Sequence, residues 1–255
     1  MVKRILFIAA LCVFIYSSVC LISRYSEKKS EETILESIHD IVYENTPSFE
    51  INDKKIFDSY RYSRQKGFSS LYEQNNDMFG WISIDNTVID YPVMQSVYDP
   101  DFYLKNDFNK NKNAHGSIYM DSNCSLSSRN YILYGHHMKN GTMFASLNQF
   151  QTLEYYKEHS IIQFDTFGTL NDYQIIGAFK IPQKDISLLQ DTLLLQTKTD
   201  YQNFMNYFNQ HKFYDTGITC SYEDQYLTLM TCEYTNKNGR FFILAKRIKT
   251  EETYD

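Results

Sequence analysis

Cys232 and Arg240 lie eight positions apart, each at the end of a strand-like run, and this pair is the first sign of chemistry in the chain. The run YLTLMTC from Tyr226 alternates, with Leu227, Leu229 and Thr231 on one face and Thr228, Met230 and Cys232 on the other. A second run rich in aromatic and branched residues covers Arg240 to Arg247, and the polar, Gly-containing EYTNKNG between them reads as a connection. If the two strands pair, a thiol and a guanidinium stand side by side at one end of a sheet. A thiolate is a nucleophile, and a guanidinium keeps its charge and donates several hydrogen bonds, so the pair suits attack on a carbonyl. A lone Cys is more often a small core residue than a nucleophile, and a base must come from elsewhere.

His136 and His137 in YGHHM follow another strand-like run and point to opposite faces at strand spacing, His136 sharing a face with Ile132 and Tyr134. No H-x-x-x-H or Cys-x-x-Cys pattern completes a metal site, so neither a metal nor another cofactor is expected. His39, His115, His159 and His211 lie in polar contexts and read as solvated surface residues. Asp85, Asp90, Asp121 and Asp165 end strands or sit in turns, where turn chemistry accounts for them. Glu233 follows Cys232 directly. A carboxylate there opposes thiolate formation, so its side chain is expected to point away. Cys124 and Cys220 could form a disulfide, but nothing in their spacing supports one, and they read first as buried inert thiols.

These residues must be positioned by a mostly β domain. From Phe79 the chain shows GWISID, VIDYPVMQ, GSIYMD, YILYGH, IIQFDT and NDYQIIGAFKI, with turn residues between them. Pro92 marks an edge strand or a bulge. Short helices are expected in TMFASLNQF, with Thr142 as its cap, in TLEYYKEHS, and around Asp200 to His211. Many strands with few helices predict a closed or nearly closed β-barrel with peripheral helices. Upstream, Ser26 to about Gln74 has helical spacing at Ile34, Leu35, Ile38, Ile41 and Val42, is broken at Pro47, and resumes with Ile56, Tyr60 and Leu71. This stem is either a solvated spacer or a helical pair packed on the domain. Ile5 to Ser23 is a nearly uninterrupted apolar run, long enough at about 20 residues to cross a bilayer and a poor match to a cleavable signal. Basic residues flank it on both sides, so charge alone does not orient it.

The whole chain of 255 residues has 43% hydrophobic content, 22 Tyr and 18 Phe, enough for one substantial core. Its formal charge of −6 argues against nucleic acid as a partner.

TLMTC with Arg240 behind it, together with YGHHMKNGTMF, resembles class B sortases; FGWISIDNTVIDYPVMQ and HGSIYMD look like the segments preceding the His in that class. The resemblance covers about residues 77 to 249. It implies a closed eight-stranded sortase-type β-barrel at 77–255, a helical stem at 25–76 and a membrane anchor at 1–24. It also implies a cell-membrane protein of a Gram-positive bacterium, with a cytoplasmic N-terminus and an extracellular catalytic domain. The implied reaction is cleavage of an LPxTG- or NPxTN-type C-terminal sorting signal of surface proteins through a thioester, with transfer of the Thr carboxyl to an amine of peptidoglycan or its lipid-linked precursor. Carried over, the nucleophile is Cys232, the general acid/base His136 and the transition-state stabiliser Arg240; His136 rather than His137 directly follows the Gly. Met230, on the Cys232 face, is expected to shape the substrate groove, with Thr231 and the Glu233 backbone as further substrate-binding candidates. The same residues also suit a secreted Cys-His peptidase that only hydrolyses. A non-catalytic surface-binding module with an inert Cys232 is the third alternative.

Overall fold

The computed structural model describes residues 2–43, 54–233 and 239–248. The Pro47 break and most of the EYTNKNG connection lie outside the described residues, as do the side chains of Ile56, Tyr60, Cys232 and Glu233. Eight strands form a closed barrel: β1 (Met78–Ser83), β2 (Asp90–Met94), β3 (Ile118–Met120), β4 (Asn130–Tyr134), β5 (Ile161–Thr166), β6 (Asp172–Ile181), β7 (Tyr226–Glu233) and β8 (Gly239–Arg247). Their order around the barrel is β1-β2-β3-β4-β7-β8-β6-β5. The β2–β3 and β4–β7 pairs are parallel and the rest antiparallel. Closure removes the exposed sheet edges that would otherwise pair with another chain.

Alternating runs become strands because each buries one set of side chains inside the barrel and the other under helices or loops. On β7, Leu227 and Leu229 are fully buried and so is Thr228 on the other face, so both faces are covered. Pro92 lies within β2 opposite Trp81 of β1, but β3 reaches only Val93 and Met94. The residue without an N–H therefore sits where its strand lacks a second neighbour, as expected of an edge position.

Three further helices decorate the barrel: α3 (Leu153–Glu158), α4 (Gln183–Gln190) and α5 (Lys198–His211). α5 begins at a capping box, Thr197 Oγ1 accepting from the Asp200 N–H while the Asp200 carboxylate accepts from the Thr197 N–H. α3 is capped by Thr152. The segment after Gly141 forms a 3-10 turn at Ala145–Gln151 whose cap position is Phe144. Thr142, expected as the cap, instead donates its hydroxyl to Asn140 Oδ1.

At the N-terminus, α1 runs unbroken from Val2 to Tyr43, and α2 covers Lys54–Gln74. The stem is packed, not a solvated spacer. Ile38 and Val42 of α1 join Phe68 and Leu71 of α2 around Trp81, which is fully buried. Gly67 allows the close crossing, since a Cβ there would lie 2.8 Å from the Val42 Cα.

Charges then lock the stem to the barrel. Asp165 of β5 is fully buried and takes the Arg61 Nε at 3.1 Å and the Arg64 Nη2 at 2.5 Å, with Arg61 Nη2 closing a two-pronged contact. Arg61 also reaches Asp172 at 2.5 Å. Burial opposes the Arg61 charge, but hydrogen bonds and attraction from Asp165 and Asp172 outweigh it and hold the guanidinium above its ordinary pKa. Asp165 is thus no turn residue; it is the acceptor that permits two buried arginines. Asp90 likewise does more than shape a turn, accepting from the Trp81 indole at 2.6 Å and from Tyr43 at 2.9 Å.

Three of the four histidines expected at the surface are also exceptions, His159 being half-buried with its ring centroid 4.3 Å from that of Tyr155. His115 is 8% exposed and pairs with Glu31 of α1 at 2.7 Å. His39 is half-buried, its Nε2 lies 2.9 Å from the Asp90 carbonyl, and its ring packs against Trp81.

Candidate active site

The chain orders its candidate residues through strand register. On the parallel β4–β7 pair Tyr134 is level with Met230, and the next N–H, that of Gly135, donates to the Met230 carbonyl at 3.1 Å. Two residues beyond Tyr134 stands His136, and two beyond Met230 stands Cys232. On the antiparallel β7–β8 pair, Cys232 is directly opposite Arg240. His136, two residues past the end of β4, and the Cys232–Arg240 pair of β7 and β8 therefore lie at the same end of the barrel, just beyond the level shared by Tyr134, Met230 and Phe242.

That face opens into a groove of about 540 Å³, walled by Leu104, Tyr134, Ile186, Met230, His136 and Arg240 among others. Its size is in the range of pockets that hold small ligands or short peptide segments. Ile186 and Gln190 come from α4, the helix in the connection after β6, and Leu104 from a 3-10 turn between β2 and β3. Met230 is 6% exposed and lines the groove; Thr231 also borders it but is buried on the alternate face of β7. The Tyr134 hydroxyl donates to Asp121 at 2.7 Å, and burial first, then the Asp121 charge, push that phenol far above its ordinary pKa. Tyr134 therefore enters the groove as a neutral, fixed wall.

His136 is held by the backbone. Its Nε2 lies 2.7 Å from the Leu104 carbonyl oxygen, which only accepts, so Nε2 carries the hydrogen and Nδ1 is the basic nitrogen of the neutral ring. The sequence offered no side-chain carboxylate or amide as an orienter, and a main-chain oxygen 32 positions upstream leaves no signature in residue types. His137 stands apart, bridging to Met143 with its Nδ1 3.2 Å from Asn148 Nδ2. Arg240 is half-buried, and its Nη1 donates to the Gly239 carbonyl at 3.2 Å.

Gly135 fixes where His136 emerges. A Cβ at this position would sit 2.5 Å from Ile118 Cδ1 and 2.6 Å from Phe144 Cδ2, both buried atoms. Gly135→Ala is expected to push the His136 backbone outward and lower turnover by at least about tenfold, since displacements near 1 Å cost up to about 100-fold. Steady-state kinetics alongside a melting curve check this; unaltered turnover would mean that the loop absorbs the methyl.

Cys124 and Cys220 are both free, the first buried and the second half-buried. Burial pushes the Cys124 thiol up to about 12 and also raises that of Cys220, so neither supplies a thiolate at neutral pH.

The model of the family described as Sortase domain matches residues 82–248. Sortase B of Staphylococcus aureus (strain NCTC 8325 / PS 47) is 34% identical over 186 residues, which span 71% of this chain and 75% of that protein. Sortase B of Listeria monocytogenes serovar 1/2a (strain ATCC BAA-679 / EGD-e) is 27% identical over 249 residues, 94% of each chain. Among solved structures, a Staphylococcus aureus sortase B–substrate complex superposes with a TM-score of 0.70 at 26% identity, covering 90% of this chain and all of that one.

Proposed function

Because this chain belongs to the sortase family and is a cysteine transpeptidase acting on peptide bonds, we propose that it cleaves an LPxTG- or NPxTN-type sorting signal near the C-terminus of surface proteins and joins the Thr carboxyl to a cell-wall amine. The observation that supports this reading is that His136 and Arg240 line one groove and that Cys232 stands opposite Arg240 in the β7–β8 register.

In the proposed cycle the signal lies along the groove against Met230, with Thr231 and the Glu233 backbone bordering it. Cys232 gives its thiol proton to His136 Nδ1, forming the imidazolium, as its sulfur attacks the Thr carbonyl carbon. Arg240 donates to the developing oxyanion, a service that needs a charge fixed before the reaction begins. As the tetrahedral adduct collapses, the C–N bond breaks, the leaving amine takes a proton from the His136 imidazolium, and a thioester remains on Cys232. An incoming amine gives its proton to His136 Nδ1, attacks the thioester carbon and expels the thiolate. The Leu104 carbonyl keeps the ring oriented through both halves. The acceptor is an amine of peptidoglycan or its lipid-linked precursor.

The apolar first half of α1 supports an anchor at 1–24, with the stem at 25–76 and the catalytic domain at 77–255 outside the membrane of a Gram-positive cell. The N-terminus is then cytoplasmic.

The test mixes the full-length chain in detergent with LPxTG and NPxTN peptides, with and without a glycine peptide, and follows intact mass. The expected result is an acyl adduct on Cys232 that disappears as ligated product forms when the amine is added. Hydrolysis alone in the presence of excess amine would assign the chain to the hydrolytic reading, and no adduct with any peptide would remove the proposed signal.

A further inference from the structure

α1 leaves the apolar stretch at Ser23 and makes its first buried contact with the domain at Glu31. Eight helical residues span about 12 Å, whereas the headgroup layer on each side of the hydrocarbon core is about 5–8 Å thick. The part of the domain that meets Glu31 is thus held just above the headgroups if the anchor reading holds. That part is the loop around His115, whose Nδ1 pairs with Glu31 at 2.7 Å and whose Nε2 lies 3.4 Å from Asn140 Nδ2. Contacts further along α1, such as His39 with Asp90 and Trp81, lie progressively away from the anchor.

The charge of this end differs from that of the chain. Residues 102–120 and 135–153 carry Lys105, Lys110, Lys112 and Lys139 with a single acid, Asp107, which is buried, although the whole chain is at −6. All four lysines are exposed. Lys110 pairs with Asp77 at 2.9 Å, and on α1 Lys28 pairs with Glu32 at 3.4 Å. Lys105, Lys112 and Lys139 make no ion pair among the described residues, and the Asn106–Lys112 bridge with the Asn113 N–H donating to the Lys105 carbonyl at 2.9 Å sets the backbones at 105 and 112 side by side. Asn140, the neighbour of Lys139, is in contact with His115.

We propose that Lys105, Lys112 and Lys139 form a face that docks on the anionic headgroups of the bilayer entered by α1. The inference rests on the anchor reading of α1. Headgroup charge attracts lysines only within about one Debye length, about 8 Å at physiological salt, and the short link to Glu31 provides that proximity. The face also adjoins the groove. Lys105 follows Leu104, whose carbonyl holds His136, and Lys139 is three residues past His136. Docking therefore turns the His136 side of the groove toward the membrane surface and fixes the domain's tilt.

The test places the full-length chain in nanodiscs of phosphatidylcholine alone or with about one-third phosphatidylglycerol, and pulses them with an amine-acetylating ester before mass spectrometry. Relative to exposed Lys157 and Lys198, acetylation of Lys105, Lys112 and Lys139 is expected to slow several-fold in the anionic discs only. The protection should disappear at 1 M salt, where the Debye length falls to about 3 Å. In Lys105→Glu/Lys112→Glu, Lys139 should lose its protection while the melting temperature stays near wild type. Equal labelling in both discs, with the chain incorporated, overturns the docking face alone. A chain that does not co-elute with discs overturns the anchor reading and the face with it. A third arm adds soluble poly(glycerol phosphate) to the phosphatidylcholine discs, and protection there but not on phosphatidylglycerol would replace the lipid by a soluble polyanion as the occupant.

Discussion

Cys232→Ala is expected to eliminate the acyl adduct and to cut transpeptidation by roughly 10⁴-fold or more, because the proposed cycle carries the acyl group on the Cys232 sulfur. The two remaining described thiols of the catalytic domain do not substitute for it, since burial holds both above the ordinary thiol range. In the proposed cycle His136→Ala would remove proton transfer from both half-reactions, and it is expected to cost about 10²- to 10⁴-fold. The two losses should not add: with Cys232 gone there is no thioester for His136 to resolve, so the double variant should match Cys232→Ala within error. Arg240→Lys keeps the charge but loses the planar fork, and should lower kcat more than it raises KM if the guanidinium acts on the oxyanion. Intact-mass spectrometry for the adduct and steady-state kinetics for ligation separate these contributions. A Cys232→Ala protein that still forms an adduct or retains turnover would remove the assigned nucleophile.

Asp165→Ala should be the most damaging single change to stability outside the active site, with little direct effect on chemistry. The carboxylate is fully buried and accepts from Arg61, Arg64 and the Asn171 N–H at 3.2 Å. Both guanidinium side chains are themselves nearly inaccessible, at 2% and 3% exposure. Removing the acid leaves two cations in the interface between α2 and β5, with Asp172 and Asp90 as the remaining partners at its margins. Breaking such a buried pair from one side typically costs about 3–5 kcal/mol, or about 10 °C in melting temperature for a domain of this size. Asp215→Ala is the control: it removes an exposed pairing with Lys212 and should leave the midpoint unchanged. Thermal denaturation of both variants decides the matter. An Asp165→Ala midpoint equal to wild type would mean that the stem contributes nothing to domain stability.

Much of the barrel was legible because its strands announce themselves locally. The alternation from Tyr226 to Cys232, the polar connection behind it and the second run from Arg240 predicted the strand pair β7–β8, and the structure puts Cys232 opposite Arg240. The motifs around His136 and Cys232 carried the family. The helical spacing of Ile34 to Val42 marked an apolar stripe on α1, but spacing cannot say what covers a stripe; its packing with α2 around Trp81 is a property of the folded chain.

What the sequence by itself determined about this protein is the set of reactive residue types, the strands that carry them and an apolar segment long enough to span a bilayer. Tertiary structure alone decided the rest. The parallel pairing of β4 with β7 joins segments 96 residues apart and sets Tyr134, two residues before His136, level with Met230, two residues before Cys232, a register that no local pattern encodes. The acceptor for His136 is a main-chain oxygen, which every residue type possesses. Asp165 and His115 looked like ordinary polar residues of turns and loops because burial and partner choice are properties of the folded neighbourhood. Residue identity sets what a group can do; long-range contacts set its solvent and its partners, and those decide whether a carboxylate is a turn former or the anchor of two buried arginines.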